Sequence, residues 1–191
     1  MTLFQFIMLC DNLKRVLRTG WLLRGVPPSQ AENVAAHSHT TSILAFLLAQ
    51  QAAEPVDLLQ VLLMALIHDI PEVEIGDIPM SAQRADPRIR EAKTKAENNV
   101  MKKILDLLPQ GLQTEMTVAW SAYTQGTSIE ARIVEVADRL ATSFHAAQLV
   151  KSGYPAELFQ EFVEHATSTA TKLKVTQANS YLKELQKTFG E

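Results

Sequence analysis

The chain has 191 residues, 47% of them apolar and 20% charged, an ordinary globular balance. A formal net charge of −3 offers no basic surplus for a nucleic-acid polymer, and a single cysteine, Cys10, excludes an internal disulfide. No apolar run approaches the roughly 18 residues of a membrane span. The longest candidate, LLQVLLMALI at 58–67, is broken by Gln60. The opening MTLFQFIMLC has no basic leader and no small-residue cleavage site, so it does not read as a signal peptide. One domain is expected, in a reducing cytoplasm.

The elements follow in chain order. Leu3, Phe4, Ile7, Met8 and Leu13 recur at three- and four-residue steps and predict a first helix over 2–17. Gly20 and GVPPSQ mark a loop over about 18–32. Asn33 is a candidate N-cap for a second helix, VAAHSHTTSILAFLLAQQAA. Pro55 suits the first turn of a third helix, with Asp57 near its positive end. That helix is expected to stop near Ile70, because Pro71 disfavours helical geometry in its predecessor. Residues 76–86 read as a loop. A polar-rich helix is predicted over 87–107 and a shorter one over 111–122. Ser128 is a candidate cap for a further helix with Ile129, Ile133, Val136 and Leu140 on one stripe, ended by Gly153 and Pro155. One or two helices fill 156–187. With no alternating strand segments and no repeats, the expected fold class is all-α.

The chemistry gathers where the third helix ends. Seven apolar residues, Val61 to Ile67, run straight into His68 and Asp69. A helix apolar on all sides is central, and its carbonyl end carries partial negative charge. A carboxylate there is disfavoured unless it is exposed or something positive offsets it. A bound cation is one such offset, and imidazole with carboxylate suits divalent transition metals. For the dipeptide alone, an exposed Asp69 and a hydrogen-bonded core His68 are the plainer reading. Further ligands must come from elsewhere. His37 and His39 lie two apart on one helix and point about 200° apart, so only one can face a shared site, and periodicity does not choose.

A histidine on one helix, a His-Asp pair ending a second and a later helical Asp resemble the HD-domain superfamily of metal-dependent phosphohydrolases. The matching stretches are RTGWLLRGV at 18–26, ENVAAHS at 32–38, HDIPEVEIGDIP at 68–79 and VEVADRL at 134–140. They are similar to the small 5′-deoxynucleotidases of that superfamily, in order and spacing, over residues 10–145. The resemblance implies a single HD domain over 1–191, its metal-site core at about 30–145 and its C-terminal helices at 156–187. It implies one divalent ion (cobalt, manganese, zinc, iron, nickel or magnesium) held by His37, His68, Asp69 and Asp138. Glu72 and Asp77 are then the catalytic pair that positions and deprotonates the attacking water. Arg18, Trp21 and Arg24 are implied to bind a nucleotide substrate, the arginines gripping phosphate and Trp21 packing on sugar or base. The implied reaction releases phosphate from a deoxyribonucleoside 5′-monophosphate. Relatives of this type form homodimers, to which the apolar first helix is a candidate contributor.

Taken singly, each of these residues has a plainer role. Glu72 and Asp77 would make a solvated acidic loop, Trp21 a core residue, and Asp138 a salt-bridge partner of Arg132 or Arg139. Glu74 is read as structural. His145 shares a face with Asp138 but lies about 10.5 Å along the axis, too far to share an ion, though near enough to line a pocket. His165 has no motif context. The chain also departs from the pattern: Ala36 stands where the family commonly has an acidic residue, the loop from Trp21 to His37 is about two residues longer, and Gly20 precedes the tryptophan. Rival readings are an HD hydrolase of cyclic or triphosphate nucleotides, a nucleotide-sensing protein without turnover, and a two-iron oxygenase. The last needs further histidines, and His39, His145 and His165 are not suitably placed.

Overall fold

The computed structural model describes residues 2–190. In order, the helices are α1 (Leu3–Asn12), α2 (Thr19–Leu22), α3 (Val34–Gln50), α4 (Leu58–Ile67), α5 (Glu72–Ile75), α6 (Met80–Ala85), α7 (Pro87–Leu105), α8 (Gln110–Gln125), α9 (Ile129–Lys151), α10 (Gln160–Leu173) and α11 (Asn179–Phe189). Among the described residues there is no strand, only an isolated antiparallel bridge between Leu17 and Asn33. The all-α expectation is met. No described helix is long and apolar enough to cross a membrane.

Two compact units divide the chain: residues 1–36 with 67–120, and residues 37–66 with 121–191. In the first unit, α1 stops five residues before its expected end at 17. A single 3-10 turn follows, and the backbone becomes extended at Val16. There it pairs with the approach to α3: Val34 N–H donates to the Val16 carbonyl at 2.9 Å, and Arg18 N–H to the Glu32 carbonyl at 2.9 Å. These bonds satisfy groups that a continued helix would have held, which is why the periodicity of α1 overruns. The expected loop at 18–32 contains the short α2, and that at 76–86 contains α6. α7 starts where Pro87 and an Asp86 cap predispose it, with Asp86 Oδ1 accepting from Arg88 N–H at 2.9 Å. α5 and α6 pack on α7, and α1 on α5. Phe6, Leu13, Val26, Ile70, Met101 and Ile104 are buried here, and Trp120 donates from Nε1 to Asn98 Oδ1 at 2.8 Å.

The second unit is organised on α9. Ser128 caps it as expected, its Oγ accepting from Ala131 N–H at 3.1 Å. Ile133, Val136 and Leu140 of the expected stripe are buried. α10 and α11 pack against α9 through Val163, Ala166, Leu182 and Leu185, and the Ser143 hydroxyl lies 3.1 Å from the Phe162 carbonyl. α4 begins at Leu58, with Asp57 Oδ1 accepting from Leu59 N–H at 3.0 Å and Gln60 N–H at 3.1 Å. Pro55 therefore precedes the helix, outside its first turn. α4 also ends at Ile67, three residues before the expected stop at Ile70.

Candidate metal centre

In the first unit, the turn after α4 carries the His-Asp pair. Ile70 N–H donates to the Ile67 carbonyl at 3.1 Å and Glu72 N–H to the Asp69 carbonyl at 3.0 Å, so the chain turns tightly into α5. His68 is buried, and Asp69 keeps 9% exposure. His68 Nε2 lies 3.2 Å from Asp69 Oδ2. Arg18 Nη1 donates to the same oxygen at 3.2 Å and offsets the unfavourable carboxylate at a helix's negative end.

Glu72 follows at the start of α5, with 2% exposure. Burial raises its carboxyl pKa well above the ordinary value of 4.5, and the Asp69 charge adds to that; Arg18 and Lys93 pull the other way. Lys93 Nζ on α7 is 3.5 Å from Glu72 Oε1 and forms a second ion pair with Glu97. Glu72 Oε2 is buried and accepts no hydrogen bond from the described residues.

Gly76 ends α5 with φ 73° and ψ 167°, a conformation adopted almost only by glycine. It redirects the chain so that Asp77 meets the start of α2. Thr19 N–H donates to Asp77 Oδ2 at 2.6 Å and the Thr19 hydroxyl to the Asp77 carbonyl at 2.9 Å. Asp77 thus anchors the helix that begins just after Arg18. Arg24 Nη1 donates to the Gly20 carbonyl at 2.8 Å, and burial together with the nearby Arg84 charge lowers the Arg24 pKa. Trp21, with 1% exposure, is a core residue in this structure.

In the second unit, α3 carries His37, fully buried, while His39 on the same helix is exposed. His37 Nε2 lies 2.9 Å from Asp138 Oδ1 on α9, and Thr41 Oγ1 is 3.4 Å from the same nitrogen. Asp138 is 6% exposed; its Oδ2 is 2.9 Å from Arg139 Nη1, and its carbonyl accepts from the Thr142 hydroxyl at 3.2 Å. Asn33 caps α3 as expected, its Oδ1 accepting from Ala36 N–H at 2.9 Å.

Each unit thus brings one imidazole to one carboxylate: His68 to Asp69 in the first, His37 to Asp138 in the second. A buried imidazole in contact with a carboxylate is a donor set that suits a divalent transition ion, and in the first unit Glu72 adds an unsatisfied carboxylate oxygen. Three residues at the centre were missed in the sequence: Lys93, Arg84 and Thr19. Lys93 and Glu97 carry an i,i+4 signal, but that spacing reads equally as a solvated helix face.

A family model described as HD domain matches residues 10–179. The chain belongs to the HD domain family. It is 30% identical over 185 residues to the protein named 5′-deoxynucleotidase HDDC2 from Homo sapiens, covering 97% of this chain and 85% of that one. Among solved structures, a protein from Pyrococcus horikoshii OT3 is similar at TM-score 0.78 and 29% identity, over 97% of this chain and 99% of that one. A protein from Magnetospirillum magnetotacticum MS-1, named as a predicted metal-dependent phosphohydrolase, is similar at TM-score 0.66 and 26% identity, over 97% and 94%.

Proposed function

We propose that this HD-domain protein is a metal-dependent phosphohydrolase that releases phosphate from deoxyribonucleoside 5′-monophosphates. The observation that carries the reading is a pair of imidazole–carboxylate contacts, His37 with Asp138 and His68 with Asp69, in a chain matched by the HD domain over residues 10–179. The activity named for the curated human relative supplies the substrate class. In this reading the whole chain works as one HD domain in the cytoplasm.

His37, His68, Asp69 and Asp138 would hold one divalent ion. Bound there, the ion supplies Lewis acidity toward the phosphoryl group and makes water more acidic. The chain's own groups do the rest. Lys93 tethers Glu72 through Oε1, which leaves Oε2 to accept a proton from the attacking water. Asp77 orients that water and also fixes the segment that bears Arg18. Arg18 and Arg24 meet the phosphate, and Trp21, buried in the core, packs the segment between them in place. The Arg24–Arg84 pair concentrates positive charge locally, although the chain is net acidic. As the water oxygen bonds to phosphorus, the bond from phosphorus to the 5′-oxygen breaks, and the proton that Glu72 took from the water passes through solvent to the leaving 5′-oxygen.

Exposed Leu3, Phe4, Ile7 and Met8 on α1 support a homodimer in which this face is covered. Sedimentation at micromolar concentration checks it: a monomer would refute the dimer and leave the chemistry untouched. The activity is tested with deoxyribonucleoside and ribonucleoside 5′-monophosphates, cyclic nucleotides and triphosphates, each with cobalt, manganese and magnesium. Phosphate release confined to the deoxyribonucleoside monophosphates is the expected result. Turnover only of cyclic or triphosphate substrates would replace the proposed substrate, and binding without turnover would favour a sensing role.

A further inference from the structure

We propose that Lys93 and Glu97 of α7 form a positioning relay that holds the Glu72 carboxylate in its working orientation. The inference rests on the reading of Glu72 as the base in the proposed reaction. The geometry is a short chain of charges: Glu97, then the Lys93 ammonium, then Glu72 Oε1 at 3.5 Å. The side chains of Lys93 and Glu97 are only 14% and 16% exposed, and that of Glu72 is 3% exposed. This is not an ordinary surface pair.

Two physical points argue against a purely local pair. On an isolated helix the better i,i+4 order is glutamate before lysine, whereas here lysine comes first, so the helix alone gives this pairing little support. Burying three long polar side chains also costs rotamer entropy and desolvation. What the arrangement achieves is constraint. Glu97 removes the freedom of the Lys93 ammonium, and Lys93 occupies Oε1 of Glu72. The second oxygen, Oε2, keeps its accepting capacity. Since α5 packs on α7, the relay also fixes a four-residue helix that has no side-chain cap hydrogen bond of its own. Lys93 lies between two carboxylates, so it is matched to holding Glu72 and not to gripping phosphate.

The experiment compares Lys93→Met, Lys93→Arg, Glu97→Gln and Glu72→Gln for kcat, KM, bound metal and Tm with a deoxyribonucleoside 5′-monophosphate. Lys93→Met should lower kcat about 10- to 100-fold, the scale of a misplaced reacting group. KM should stay within about threefold and metal content should be unchanged. Lys93→Arg, which keeps the charge and donors, should recover most of kcat, and Glu97→Gln should fall between the two. Three results overturn the relay: kcat of Lys93→Met within twofold of the parent; a raised KM at constant kcat; or equal losses in the Met and Arg variants that track Tm. If Lys93→Met does not fold, Glu97→Gln decides alone, and parental kcat in that variant overturns the proposal. Glu72→Gln separates the two readings. If it turns over normally, the base assignment fails; if it is dead while Lys93→Met is normal, only the relay fails.

Discussion

At the scale of single residues, the chemistry depends on where charge is buried and what meets it. His37 and Asp138 touch at 2.9 Å, His68 and Asp69 at 3.2 Å, and Glu72 is almost wholly enclosed. Alanine at His37 or Asp138 should therefore lower metal affinity by about 10- to 100-fold or more, read by equilibrium dialysis. Unchanged affinity would remove those side chains from the site. The raised Glu72 pKa makes a separate prediction for metal-free protein. Because the folded-state value lies above the ordinary 4.5, protonated Glu72 contributes stability that is fully present below that value and is lost as pH rises through the folded one. In chelator, the Tm of the parent should fall relative to Glu72→Gln as pH rises from 4.5 through neutral. Parallel Tm curves for the two proteins would show that burial does not burden this carboxyl. The sequence marked His37, His68, Asp69 and Asp138 through family spacing, but it could not reveal Lys93. A lysine four residues before a glutamate has the same spacing on a wet helix face as in a buried relay, and only the packing of α5 on α7 distinguishes them.

At the scale of elements, caps and turns decide where side chains arrive. Asn33 and Ser128 were legible because an Asn or Ser before a periodic apolar run offers the backbone an acceptor. Pro55 and Asp57 both suit the start of α4 in sequence, and the Asp57 hydrogen bonds decide between them. Asp57→Ala should cost about 1 kcal/mol in denaturant unfolding, with Pro55→Ala nearer zero; the reverse order would restore the proline as the helix start. The end of α4 at Ile67 was hidden because His68–Ile70 have no local breaker until Pro71. The short α2 and α6 were invisible for a related reason: four and six residues carry too little periodicity to outweigh nearby Gly and Pro. Gly76 is the turn on which Asp77 depends. An added Cβ meets nothing within 4 Å there, so Gly76→Ala should fail through backbone strain alone, by about 1–3 kcal/mol, with a loss of activity as Asp77 shifts. Full stability and turnover in that variant would show that the φ 73° turn is dispensable.

At the scale of the whole molecule, composition and periodicity sufficed for an all-α chain, because a helical stripe is legible over ten or more residues. Which helices share a site is not a local property. His37 and Asp138 are 101 positions apart, and their meeting was readable only through family resemblance. The claim on which the proposed reaction depends is that one chain holds one divalent ion at those residues and hydrolyses a nucleotide there. The most direct measurement is metal content by elemental analysis, paired with phosphate release, for the parent and for Asp138→Ala at equal, folded concentration. One ion per parent chain and phosphate released from a deoxyribonucleoside 5′-monophosphate are the expected result, with both lost in Asp138→Ala. A full ion complement and parental turnover in Asp138→Ala would contradict it.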